Sequence, residues 1–79
     1  MKSMSSNILV SFGQSVRNKR IASGVTQETL AEKADLHRTY IADIERGVRN
    51  VSLRNIERLA VALECTIAEL VSGIEKKQK

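Results

Sequence analysis

The stretch Gly24–Ser52, GVTQETLAEKADLHRTYIADIERGVRNVS, decides the fold. From Thr26 onward its apolar positions are Leu30, Ala31, Ala34, Leu36, Ile41 and Ile44, a helical spacing broken once, around Asp35 and Leu36. The break reads as a turn between two short helices. Thr26 is placed to cap the first of them, and the second runs from about Arg38 to Arg46 and stops at Gly47. On a wheel of about 100° per residue, the second helix gathers Ile41 and Ile44 on one side. Arg38, Thr39, Ala42, Asp43 and Arg46 spread across the opposite arc, with Tyr40 on the flank.

The flanking sequence continues in the same helical style. Leu9, Phe12 and Val16 mark the buried stripe of a helix expected from about Asn7 to Ser23, with Gly24 supplying its stop. Ser52 caps a fourth helix whose stripe is Leu53, Ile56, Leu59, Ala60 and Leu63. Thr66 and Glu69 form a capping-box pair for a fifth, with Ile67, Leu70, Val71 and Ile74 apolar. The end, GIEKKQK, is expected to be frayed, which makes Lys76, Lys77 and Lys79 a solvated tail. No linker, repeat or low-complexity tract divides the chain. The expectation is one all-α, compact five-helix domain over residues 1–79, with the turn-linked pair at about 27–46.

Composition agrees with that architecture. The 79 residues contain no proline, and the only aromatic residues are Phe12 and Tyr40. The core must therefore be built from Leu, Ile, Val and Ala, which suits closely packed short helices better than a β-sandwich. A chain this short is near the lower limit of useful stability by itself, which favours oligomerisation. One cysteine excludes an internal disulfide, and one cysteine with one histidine cannot build an ordinary protein metal site. The start, MKSMSSNILV, has too short an apolar stretch for a signal peptide, and no run approaches the roughly 18 to 20 residues of a membrane span. A cytoplasmic protein without membrane, metal or cofactor is expected. Catalysis finds no support either: there is no glycine-rich phosphate loop and no nucleophile–base set.

The formal charge is +4, unevenly placed. Residues 1–25 carry Lys2, Arg17, Lys19 and Arg20 and no acid. Residues 26–50 carry four basic and five acidic residues, so the turn-linked pair is not a basic run. Any footprint on a polyanion must come from where Arg38, Arg46 and Arg49 point. A helix that enters a DNA major groove needs this division of faces, one stripe anchoring it and the other meeting base edges and phosphates. Arginine pairs bidentately with guanine O6 and N7, and threonine bonds a base or touches a thymine methyl. The helix by itself reads more readily as a solvated amphipathic element whose arginines keep it soluble, and only the surrounding pattern reverses that reading.

The wider pattern resembles a known family. Gln27 opening the second helix, Leu30-Ala31 inside it, Ile41 and Ile44-Glu45 in the third, and Gly47 after it resemble the helix-turn-helix of the phage-repressor and Cro superfamily. More narrowly, His37-Arg38-Thr39-Tyr40-Ile41, Ile44-Glu45-Arg46-Gly47 and Arg49-Asn50-Val51-Ser52-Leu53 are similar to the controller proteins of restriction–modification systems, and the likeness runs from Val16 to Leu70. The resemblance implies that Arg38 and Thr39 read bases, Tyr40 lies against the sugar-phosphate backbone, and Arg46 and Arg49 reach bases or phosphates. Asp43 shares their face. Gln27, and Asn50 with Ser52 near the start of the fourth helix, would bond phosphates. It also implies a structural Arg20–Glu45 pair between the first and third helices. The chain departs from the family at Asp35, where glycine is common, and at His37, where an acid is common. Cys65 reads as a small apolar filler beside Glu64 rather than a redox sensor.

The implied function is a sequence-specific transcription regulator that binds a near-palindromic double-stranded DNA operator as a homodimer, with RNA polymerase as a further partner. Dimer contacts are expected within about 52–74, with Val61, Leu70, Val71 and Ile74 as candidates, some of which the monomer core will need. Alternatives are a phage repressor or Cro-like regulator, an antitoxin, and, in a different class, a helical protein-interaction module.

Overall fold

The computed structural model describes residues 4–72 and 74 of the chain. Lys76, Lys77 and Lys79, expected in a frayed tail, lie outside the described residues, as does Lys2. Five helices follow in order: α1 (Met4–Ser23), α2 (Gln27–Ala34), α3 (Arg38–Glu45), α4 (Leu53–Ala62) and α5 (Ile67–Val71). Among the described residues there is no strand, and no helix is long and apolar enough to cross a membrane.

The joints follow from local chemistry. Thr26 Oγ1 accepts the amide of Thr29 at 3.0 Å, and Ser52 Oγ accepts that of Asn55 at 3.1 Å, so α2 and α4 start where their hydroxyl caps place them. At α5 the capping box is complete, with Thr66 and Glu69 each accepting the other's amide at 2.9 Å. The donated Thr66 amide holds the Glu69 carboxyl below its ordinary range. The α2–α3 turn is made by Asp35, left-handed at φ 60°. Asp tolerates that geometry better than most residues, because its short polar side chain fits local backbone dipoles. Glu64 closes α4 in the same left-handed conformation at φ 58°, a position with no turn signal in its side chain.

The core lies between the helices rather than on one of them. Val16 from α1, Leu30 from α2, Ile41 and Ile44 from α3, Leu59 from α4 and Leu70 from α5 are fully buried, with Phe12, Ala31, Ala34, Ala60 and Leu63 around them. Two expectations need correction. Leu53 is 72% exposed, so the α4 stripe begins at Ile56; common spacing identifies a face but not how far the neighbouring elements reach along it. Leu70 is 0% exposed and belongs to the monomer core, where it cannot serve as a dimer contact. Its carbonyl also accepts the Ser15 hydroxyl of α1, which fastens the fifth helix to the first.

Helix α1 crosses the C-terminal end of α3 at Gly13. A β-carbon there would overlap the carbonyl oxygen of Ile44 and stand 3.1 Å from that of Glu45. Close approach of two backbones therefore explains this glycine, inside a helix where glycine is otherwise unfavourable by about 1 kcal/mol relative to alanine. Gly47, at φ 78°, is required twice. It closes α3, and a β-carbon would meet Val10 Cα and Cγ2, each at 2.8 Å.

One polar arrangement sets the direction of α3. Arg20 donates from Nε to Glu45 Oε2 at 2.7 Å and from Nη2 to Oε1 at 3.0 Å, a two-pronged pair with side chains only 12% and 2% exposed. Its remaining prong, Nη1, donates to the Val25 carbonyl at 3.0 Å, and Gln27 Nε2 donates to Glu45 Oε1 at 3.1 Å. Four segments thus meet around one ion pair: α1, the α1–α2 joint, the start of α2 and the end of α3. Hydrogen bonding to Glu45 holds the Arg20 guanidinium above its ordinary range despite burial. No buried side-chain polar atom among the described residues lacks a partner.

Two outcomes follow for stability. Glu45→Ala strands a mostly buried guanidinium and should cost about 3 kcal/mol, whereas Arg20→Met with Glu45→Leu should recover most of that loss. Urea unfolding followed by circular dichroism measures both, and a loss below about 1 kcal/mol for the single variant would show that the pair is ornamental. Gly13→Ala should destabilise by about 1–3 kcal/mol through overpacking, opposite in sign to the usual effect of alanine in a helix. A raised melting temperature would mean that α1 can withdraw from α3 without penalty.

Candidate nucleic-acid interface

With Ile41 and Ile44 buried and Glu45 clamped, the outer arc of α3 is fixed in direction. Arg38 and Thr39 stand exposed in its first turn. His37 precedes them in an extended conformation and makes no capping bond, so this exposed imidazole plays no part in starting the helix. Of the arc expected from the wheel, Arg38, Thr39 and Arg46 are exposed, while Ala42 and Asp43 are half-buried.

Beyond α3 the polar side chains are linked rather than independent. Asp43 Oδ1 accepts Arg46 Nη2 at 2.6 Å, and Asp43 Oδ2 accepts Arg49 Nη2 at 3.5 Å. The Arg49 guanidinium carbon lies 4.9 Å from the centre of the Tyr40 ring, within cation–π range. Tyr40 Oη in turn accepts Asn55 Nδ2 of α4 at 3.0 Å. Arg46, Asp43, Arg49, Tyr40 and Asn55 form one chain of contacts from the end of α3 to α4. The Arg46 hydrogen bond, assisted by the charges of both arginines, holds the Asp43 carboxyl below its ordinary range.

The other candidates fall around this chain. Asn50 and Ser52 are exposed before α4. Ser52 Oγ is used as an acceptor by its cap, which leaves its hydroxyl proton to donate. Gln27 is half-buried, with its amide donating to Glu45, so one N–H of the same group remains for an outside acceptor. In the same way Tyr40 accepts from Asn55 and keeps its own proton. These groups can donate to a polyanion without breaking the bonds that place them.

Asn55 was not legible in sequence. It sits one residue before a stripe position of α4, and only the packing of helices brings it under Tyr40. Asp43 was legible as a member of the outer arc, but not as the group that joins two arginines. Cys65 is half-buried, and burial pushes its thiol up, with Glu69 adding to the shift and Lys19 opposing it. It therefore remains a neutral thiol near pH 7, suited to packing.

Comparison with known proteins places these features in a family. A helix-turn-helix family model matches residues 16–70. The control protein C.BamHI of Bacillus amyloliquefaciens is 59% identical over 61 residues, which cover 76% of this chain and 75% of that protein. Among solved structures, the restriction-modification controller protein C.AhdI from Aeromonas hydrophila is similar at 53% identity and a TM-score of 0.77, covering 78% of this chain and 94% of that one. The controller C.Esp1396I, solved as a tetramer in complex with its natural 35 base-pair operator, matches at 32% identity and a TM-score of 0.80 over 95% of both chains. A clamped outer helix, a left-handed turn before it and this likeness over most of the chain have one explanation: the protein belongs to the helix-turn-helix family, among the controller proteins of restriction–modification systems.

Proposed function

We propose that this protein is a sequence-specific transcription regulator that binds a near-palindromic operator as a homodimer. The observation that carries the reading is the fixed division of α3, with Ile41, Ile44 and the Arg20–Glu45 clamp behind it and Arg38, Thr39 and Arg46 in front. In the groove Arg38 and Thr39 read base edges, while Arg46 and Arg49 reach bases or phosphates. Tyr40, Gln27, Asn50 and Ser52 donate to the sugar-phosphate backbone and set register. The relative C.Esp1396I, bound to its operator as a tetramer, supports both DNA binding and self-association. Activation would add RNA polymerase as a partner, and repression would follow when further copies occupy the promoter. The cytoplasm, where the DNA is, would be its compartment.

An apolar groove of about 280 Å³ that includes Ile8, Phe12, Val51, Ile56, Val71 and Ile74 is the proposed seat for a second copy of the chain. Asn50 also lines it, so a two-fold axis through this groove would set two phosphate-facing edges side by side. Val71 and Ile74 thus remain dimer candidates. Val61 is 71% exposed but lies roughly 140° around α4 from Ile56, outside the groove.

Duplexes selected from a random pool by the protein itself test the reading. With about four net positive charges per dimer at the DNA face, from Arg38 and the Arg46–Asp43–Arg49 cluster of each copy, log K against log salt should fall with a slope of roughly −3.5. Arg38→Ala should lose about 1–3 kcal/mol on the selected duplex and far less on a scrambled one. A slope near zero would favour the protein-interaction module instead. In sedimentation equilibrium, Ile74→Asp should shift the protein toward monomer, since each introduced charge meets its symmetry copy. A folded variant that stays dimeric would move the interface elsewhere.

A further inference from the structure

We propose that Asp43 is a specificity-determining positioning residue: it holds Arg46 and Arg49 in the base-reading posture and opposes their capture by phosphates of unrelated DNA. The inference rests on the DNA-binding reading above and concerns how that binding is made selective.

The carboxylate of Asp43 sits between the two guanidinium groups and is shared by them, with a side chain only 20% exposed. Arg46 and Arg49 lie much further out, at 67% and 48%. Each guanidinium spends one N–H direction on Asp43 and has others left for an acceptor in front of it. Arg49 is restrained from a second side by the Tyr40 ring, which Asn55 holds from α4. The side chains that would otherwise sweep the widest arc are therefore tethered at their tips.

The same tether changes the electrostatics. Two arginines with one shared carboxylate present a single net positive charge instead of two. An arginine that swings away to a backbone phosphate leaves Asp43 less compensated and close to a polyanion, where like charges repel. Base contacts made in the tethered posture avoid that penalty. Unrelated DNA, which offers phosphates but not the matching base edges, meets it in full. The device works by opposing the wrong complex rather than by adding contacts to the right one.

Asp43→Asn removes the charge and keeps the shape, and Asp43→Glu keeps the charge. Affinity of each would be measured over a salt series on the duplex selected by the unmodified protein and on a scrambled duplex of equal composition, with circular dichroism to confirm folding. For Asp43→Asn, affinity for the scrambled duplex should rise about tenfold, with a salt slope steeper by about 2 per dimer, as two more counterions are released. The ratio of selected to scrambled affinity should fall at least fivefold, mainly through the scrambled duplex, and Asp43→Glu should restore much of it. An unchanged ratio overturns the proposal. So does a ratio that falls only through weaker binding to the selected duplex, which would mean that Asp43 itself accepts from a base. Failure of the unmodified protein to bind either duplex in a salt-dependent way would instead overturn the DNA-binding reading.

Discussion

The Arg20–Glu45 pair is the constraint on which the outer face depends. Helix α3 has eight residues, too few to be stable alone, so its existence and its direction both come from packing. Ile41 and Ile44 supply the attraction, but an apolar contact has no preferred direction and would tolerate rotation of the helix about its own axis. The clamp removes that freedom. Its two parallel hydrogen bonds fix a planar guanidinium against a planar carboxylate, and Gln27 and the Val25 carbonyl fix the pair from α2 and from the joint before it. Desolvation cancels much of the pair's net stabilisation, so its value is geometric. A rotation of one residue position, about 100°, would replace the outward arginines with an isoleucine.

The sequence was most informative where a structural rule is local. Caps depend on a hydroxyl and an amide three residues apart, and Thr26, Ser52 and the Thr66–Glu69 box all lie where their spacing put them. The turn at Asp35 was legible because the apolar spacing breaks there, and its left-handed backbone suits Asp. The outer arc of α3 was legible for the same reason, since 3.6 residues per turn fixes which side chains share a face.

What was not legible depends on distances between elements. A stripe on α4 includes Leu53 by spacing alone, yet nothing in spacing says that the core ends at Ile56. Leu70 and Val71 are neighbours with equal apolar character, and only the seat of α5 against α1 sends the first inside and leaves the second at a groove. Gly13 carries no local signal, because its cause is the backbone of another helix passing within a methyl's radius. The role of Asn55 depends on the hydroxyl of a tyrosine fifteen residues away.

Charge shows the same division between sequence and space. Residues 26–50 have more acids than bases, a balance that by itself disfavours a polyanion. Glu45 is neutralised by Arg20, which comes from outside that segment, and Asp43 is divided between two arginines. Glu28, Glu32 and Asp35 belong to α2 and its turn rather than to the outer arc of α3. At physiological salt, charges are screened over about 8 Å, so a phosphate at the outer arc is governed by the groups nearest to it and not by the segment total. Those groups are Arg38, Arg46 and Arg49 with one shared carboxylate among them. The face is positive because the acids around it are already engaged, and that engagement also gives the arginines their direction.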